Sequence, residues 1–250
     1  MSPTPEFTLF VPCLNEAPRV AGTLESVRVA LQQIGCTYEV LVFDDGSTDD
    51  TSVVVEQYRI AHPEMDLRLH RNPMNHGVAY SFVEAAFAGR GKYFRLIWGD
   101  NVEPVETLVK ILSLAGQADL VVPYYPYVPG KSRFRMAMSG AYTGLVNLLS
   151  GNRLHYYNGS VLCLRHSAMR WCPHNHGFTG FLADLITQLL AEGATCIEVP
   201  VQGTHVEKGK AGTPLTFHNF FSTGLTLFSI LSRRLSYRVY RAKLARLPAR

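Results

Sequence analysis

Val40-Leu41-Val42-Phe43-Asp44-Asp45-Gly46-Ser47-Thr48-Asp49-Asp50-Thr51 reads as a buried strand that stops at two adjacent carboxylates. A short unbroken apolar run of Val, Leu and Phe suits a strand covered on both faces. Gly46 supplies a turn, and Ser47, Thr48 or Asp49 can cap a following helix. In an open α/β sheet, ligands bind beyond the carboxyl ends of the strands. Asp44 and Asp45 fall at that edge, as acceptors for a base N–H or for ribose hydroxyls. The alternative is that they only cap and turn.

The flanking sequence repeats this arrangement. Apolar strands are expected at 7–11, 67–70, 93–98 and 120–123, and amphipathic helices at 19–34, 50–61, 78–88 and 104–115. Alternating strands and helices with short connections predict an α/β fold, a mostly parallel sheet with helices on both faces. Three strands run into polar, acidic loops: Asn15-Glu16, Asp44-Asp45 and Asp100-Asn101. Parallel strands place all three on one edge.

The second half is less regular. A strand is expected at 155–164 and another at 195–200. Helices are expected at about 133–149 and 177–191, and an apolar helix or helix pair at 215–235. No repeat or clear linker appears in the 250 residues, and a hydrophobic share of 47% supports a substantial core. The net charge of +4 is unevenly spread. Arg233, Arg234, Arg238, Arg241, Lys243 and Arg246 crowd a C-terminal stretch without acids. Following Phe217, Phe221, Leu225 and Phe228, they suggest a helix lying on an anionic bilayer; a solvated tail is the alternative. Five cysteines without a CxxC pair suit reduced thiols in the cytoplasm. Neither a signal peptide nor a transmembrane run is expected. Cys172-Pro173-His174-Asn175-His176 is a weak zinc pattern, having no second ligand pair. Nothing interleaves basic and aromatic residues as nucleic-acid binding would require.

Val11-Pro12-x-x-Asn15-Glu16, Asp44-Asp45-Gly46-Ser47-Thr48-Asp49-x-Thr51, Asn75-x-Gly77 and Gly99-Asp100-Asn101 with Pro104 together resemble the family-2 glycosyltransferases of GT-A fold. The second half is similar to the polyprenyl-phosphate sugar synthase branch, which includes the dolichol-phosphate mannose synthases. There a helix like 181–191 is followed by Gly193 and a strand ending Glu198-Val199-Pro200-Val201. The resemblance implies a GT-A domain over 1–213 and a basic helical extension over 214–250. It implies that Pro12, Asn15, Glu16, Asp44, Asp45, Gly77 and Asn101 bind a nucleotide-diphospho-sugar. Asp100 would hold Mg²⁺ or Mn²⁺ against the diphosphate, with Asn101 or Glu103 assisting. Arg133, Arg135, Ser139, His205 and Lys208 would meet the acceptor.

The sequence departs from the family pattern at three places. Trp98 replaces the first Asp of the metal-binding DxD and Val102 a further polar ligand. His205 to Ala211 replaces an Arg–Gly–Ser loop, and His155 to Gly159 an Asp-x-x-x-Gly signature.

The implied reaction is inverting sugar transfer to a polyprenyl phosphate by a cytoplasmic protein peripheral at the membrane. A second copy or a membrane protein is a further partner class. One alternative is a saccharide or small-molecule hydroxyl acceptor with Asp184 as general base. Another is a non-catalytic nucleotide-sugar-binding scaffold. A nucleotidyltransferase would place a Gly-rich basic loop after the first strand, where Pro12 to Glu16 stand.

Overall fold

The computed structural model describes residues 4–126, 132–171, 180–202 and 217–244. The first half alternates β1 (Phe7–Cys13), α1 (Val20–Ile34), β2 (Tyr38–Asp44), α2 (Thr51–Ala61), β3 (Leu67–Arg71), α3 (Val78–Ala88), β4 (Tyr93–Leu96), α4 (Val105–Leu112) and β5 (Leu120–Tyr124). The second half adds α5 (Arg133–Ser150), β6 (Leu162–Leu164), α6 (Arg165–Arg170), α7 (Phe181–Ala191), β7 (Cys196–Pro200) and α8 (Phe217–Leu244). The strands form one sheet in the order β3-β2-β1-β4-β6-β5-β7. Only β6 runs antiparallel to its neighbours.

The inner strands β1, β2, β4 and β5 are mostly apolar on both faces because both faces are covered. Side chains alternate between two cores. Phe10, Leu41, Phe43, Phe94, Leu96, Leu120 and Val122 face one, with residues of α3, α6 and α7. Leu9, Val11, Val40, Val42, Ile97 and Val121 face the other, with α1, α2 and α4. The period of two along each strand fixes this division. On α1, Val20, Leu24, Val27 and Leu31 form the buried stripe, and Gly35 ends the helix in the left-handed conformation at φ 70°.

Three expectations for the second half need correction. The stretch 155–161 is loop, and only Leu162–Leu164 pairs as strand. Gly159 approaches the Pro123 backbone there so closely that a Cβ would collide with it. The helix expected from 177 starts at Phe181, after Gly180 in the left-handed region. The C-terminal helix is a single element of 28 residues reaching Leu244. It packs along α5 and α7 and puts Ile230 into the same core as Phe82 and Trp171. Among the described residues, no helix is long and apolar enough to cross a membrane.

Candidate active site

Because β1, β2 and β4 are parallel neighbours, their carboxyl ends open on one edge. The loops there hold one another. Asn15, left-handed at φ 55°, donates its N–H to Ser47 Oγ (2.9 Å) and accepts from the Thr48 N–H at Oδ1 (2.9 Å). The Glu16 N–H donates to Thr51 Oγ1 (2.9 Å) and the Ala17 N–H to Asp49 (3.2 Å). Arg19 pairs with the Glu16 carboxylate at 2.6 Å. Much of the Asp-Asp-Gly-Ser-Thr-Asp signature thus stitches the β2 loop to the β1 loop.

The two adjacent aspartates differ in role. Asp44, fully buried, accepts from the Ser47 N–H (2.9 Å) and from Ser52 Oγ, with Arg71 Nε at 4.0 Å. Asp45 accepts from Asn72 Nδ2 (2.8 Å), the His76 N–H (3.0 Å) and the Gly77 N–H (2.8 Å). Asp45 therefore fastens the loop before α3, which brings Gly77 to the edge. Gly46 sits at φ 80°, and a Cβ there would stand 2.7 Å from the Met74 backbone. Only glycine lets these two loops pass.

The third loop follows β4. Arg95 and Glu103, both buried, form a two-pronged pair with both contacts at 2.8 Å. This pair closes the loop carrying Trp98, Gly99, Asp100 and Asn101. Tyr125, just beyond β5, adds a hydroxyl at 3.4 Å from Glu103. Asn101, left-handed at φ 57°, donates its N–H to Thr23 Oγ1 (2.9 Å) and accepts from Ser26 (3.4 Å), both on α1. Gly99 lies against Pro12 and Cys13 so tightly that a Cβ would meet Cys13 Sγ at 2.7 Å. The strand ends bearing Asp44 and Asp100 are thereby drawn together over Cys13. Burial pushes the Cys13 thiol far above its ordinary value, and the carboxylates of Asp44, Glu16, Asp100 and Asp49 add to the shift.

Glu103 and Asn101, expected to assist a metal, are engaged elsewhere: Glu103 with Arg95, Asn101 with α1. Sequence reasoning missed the Arg95–Glu103 brace. Its signal was present, since an arginine inside Tyr93-Phe94-Arg95-Leu96-Ile97 must find a buried acid. No group of three His, Cys, Asp or Glu among the described residues is placed to hold a metal ion by itself. Hard carboxylate oxygens at this edge nevertheless suit a divalent cation whose other ligands come from a diphosphate.

Arg133 and Arg135 are exposed on the first turn of α5, and Ser139 lies half-buried one turn further. Ser132 caps that helix by accepting from the Arg135 N–H (3.3 Å). His205 and Lys208 lie outside the described residues, as does the 172–176 segment. Asp184 is buried in the first turn of α7. Its carboxylate accepts from Trp171 Nε1 (3.0 Å), Ser229 Oγ (3.2 Å) and Arg233 (2.6 Å). The last two donors belong to α8, so Asp184 clasps that helix to the body.

The profile of glycosyl transferase family 2 matches residues 8–174, and the chain belongs to that family. It is 26% identical over 156 residues to a dolichyl-phosphate beta-glucosyltransferase of Trichomonas vaginalis, covering 58% of this chain and 46% of that protein. It is 24% identical over 207 residues to an undecaprenyl-phosphate 4-deoxy-4-formamido-L-arabinose transferase of Edwardsiella ictaluri, covering 82% and 62%. The chain thus spans about half to three-fifths of the length of these relatives. Glucosyl-3-phosphoglycerate synthase of Mycobacterium tuberculosis, solved with Mn²⁺, UDP and phosphoglyceric acid, superposes with a TM-score of 0.68. That superposition covers 92% of this chain and 78% of the other at 19% identity, a likeness of fold. The fold is GT-A.

Proposed function

We propose that this chain transfers a sugar, with inversion, from a nucleotide-diphospho-sugar to a polyprenyl phosphate at a membrane surface. The observation that carries this reading is that the parallel strands β1, β2 and β4 open the loops bearing Asn15-Glu16, Asp44-Asp45 and Asp100-Asn101 on one sheet edge, with Gly99 packed against Pro12 and Cys13. The nucleoside would lie along the β1 and β2 loops, with Pro12, Asn15, Glu16 and Asp44 lining it and Asp45 presenting the Gly77 backbone. Asp100 would hold the divalent cation, which supplies neutralisation of charge on the departing diphosphate. In the transfer, the bond from the anomeric carbon to the diphosphate breaks and its electron pair leaves with the nucleoside diphosphate. An acceptor oxygen bonds the opposite face of that carbon.

Two observations favour a phosphate acceptor over a hydroxyl. A phosphate is ionised at neutral pH and needs no general base. The Asp184 carboxylate, which a hydroxyl acceptor would require, is already held by three donors. The names of the Trichomonas and Edwardsiella relatives supply the acceptor class, with Arg133, Arg135, Ser139, His205 and Lys208 as its contacts. The chain's cytoplasmic face at the membrane would be α8 and the basic residues after it, which also offer a surface for a second copy or a membrane protein.

The test is donor binding by calorimetry across a panel of UDP- and GDP-sugars with and without Mn²⁺ or Mg²⁺, followed by transfer to undecaprenyl or dolichyl phosphate. One donor should bind in a metal-dependent way, and Asp100→Ala should lower transfer by about 100-fold or more. Donor binding without any transfer would favour the scaffold reading, which the Trp98 replacement motivates. Binding of no donor would refute the assigned pocket.

A further inference from the structure

The polar cleft between α5, α7 and α8 is apart from the donor edge and lies along the helix proposed above to face the membrane, a reading that its lipid-headgroup arm rests on. It encloses about 210 Å³, and its polar lining is Ser150, Thr187, Arg233, Arg234, Tyr237 and Arg238. It lies away from the strand-end edge. Helix α7 leads into β7, which is parallel to β5, so the C-terminal end of α7 sits at the edge where the strands begin. Ser150 likewise ends α5, a helix of 18 residues that starts after β5 and is about 27 Å long.

Three arginines line this cleft, and among the described residues no carboxylate does. Arg233 reaches past the lining to Asp184 and is neutralised there. Arg234 donates through one terminal nitrogen to the Leu148 and Leu149 carbonyls at the end of α5. Its guanidinium also lies close against Gly151. Arg238 is exposed, and no interaction of its side chain is present among the described residues. With one acid against three arginines, the cleft keeps an excess of positive charge. Arginine forks fit the oxygens of a phosphate better than those of any neutral ligand, and Ser150 and Tyr237 are further polar residues of the lining.

We infer that this cleft binds a phosphate group, carried by a lipid headgroup or by a soluble phosphate ester, through Arg234 and Arg238 with Arg233 behind them. It is separate from the donor edge and does not depend on the reading of that edge. Leu148 and Leu235, the chain neighbours of Leu149-Ser150 and Arg234, are exposed, which is compatible with the headgroup source.

The test uses the full chain with two probes. One is inorganic phosphate or glycerol phosphate, titrated by calorimetry at constant ionic strength. The other is vesicles of phosphatidylcholine with one-fifth phosphatidylglycerol, compared by co-sedimentation with phosphatidylcholine alone. Arg238→Gln should weaken binding about tenfold, and Arg234→Gln with Arg238→Gln should weaken it further. Arg59→Gln removes the same charge from α2, where Arg59 pairs with Glu56, and should leave binding within twofold. Thermal melting checks that each variant folds. Saturable binding of the small phosphates assigns a soluble ligand. Binding of the anionic vesicles alone assigns a headgroup. Binding of neither probe overturns the inference, as does a loss with Arg59→Gln equal to that with Arg238→Gln.

Discussion

The loops after β2 and β4 both end a buried strand in acid, yet they are built in opposite ways. The β2 loop spends its acids on itself and its neighbours: Asp44 takes Ser47 and Ser52, and Asp45 takes three donors from the loop before α3. The β4 loop is braced from outside. Arg95 and Glu103 close it from the core, and Thr23 and Ser26 hold Asn101 on α1. Asp100 sits between these two anchors. A carboxylate next to a signature glycine can therefore be a hinge pin in one loop and a ligand candidate in the other.

The largest effect should come from the brace. Glu103→Gln leaves Arg95 buried without its counter-charge and should cost about 3–5 kcal/mol of stability, read from urea unfolding. Replacing both partners, Arg95→Met with Glu103→Leu, should recover most of that loss, because the desolvation cost of both charges disappears. If the double variant folds and still loses donor affinity, the brace positions the Asp100 loop. If the double variant binds donor normally, the brace serves stability alone.

Asp45→Ala should come next, at about 2 kcal/mol, since it removes the shared acceptor of the His76 N–H, the Gly77 N–H and the Asn72 amide. It should also weaken donor binding, because the Gly77 loop loses its anchor. Asp100→Asn provides the contrast: it should lower transfer by a larger factor than Asp45→Ala for a smaller loss of stability. If Asp45→Ala and Asp100→Asn instead changed stability by equal amounts, the division of labour between the loops would be wrong. Gly46→Ala follows, at about 2 kcal/mol, from a left-handed φ combined with a Cβ pressed on the Met74 backbone.

The parallel half of the fold could be read directly from the chain, because β1, β2 and β4 are short, mostly apolar runs that lead into loops of Gly, Asp or Asn. Each helix there carries one apolar stripe, and connections are short enough to force neighbouring elements together. The second half resisted for a physical reason. The backbone at Leu154 and His155, which leads into this loop, is held by side-chain contacts rather than by a ladder. The Glu198 carboxylate accepts from the His155 N–H (2.6 Å), and Asn147 bonds both backbone groups of Leu154 (2.9 and 3.0 Å). Composition does not reveal such contacts. Helix α8 was expected as a helix or helix pair, but its docking was not legible: its buried side is lined by polar Ser222 and Thr226 beside Ile230, and Arg233 bonds into the body. At the site, motif residues marked the edge but not their duties. Asn15, Asp44 and Asp45 look like ligands in sequence, and the structure shows them also carrying the loops.

The opposite edge of the sheet supplies the smallest and most easily separated effect. Glu39, buried early in β2, accepts from Thr8 Oγ1 (2.6 Å) and Arg90 Nε (2.9 Å), and Arg68 also pairs with it. Burial pushes its carboxyl up, but the bonds from Thr8 and Arg90 and the charge of Arg68 outweigh it, so the net shift is below the ordinary 4.5. A carboxyl whose value falls on folding stabilises the protein fully at pH well above 4.5. That contribution is lost as pH falls through 4.5 toward the folded value, because protons then bind the unfolded chain first. Melting temperature should therefore decline from pH 6 to pH 3, and Glu39→Gln should start lower at pH 6 and decline less. Donor affinity measured at pH 7 should not respond to this substitution, since Glu39 stands at the strand starts, far along β2 from Asp44. If Glu39→Gln changes that affinity as much as Asp45→Ala does, the two edges are coupled through the strands rather than independent.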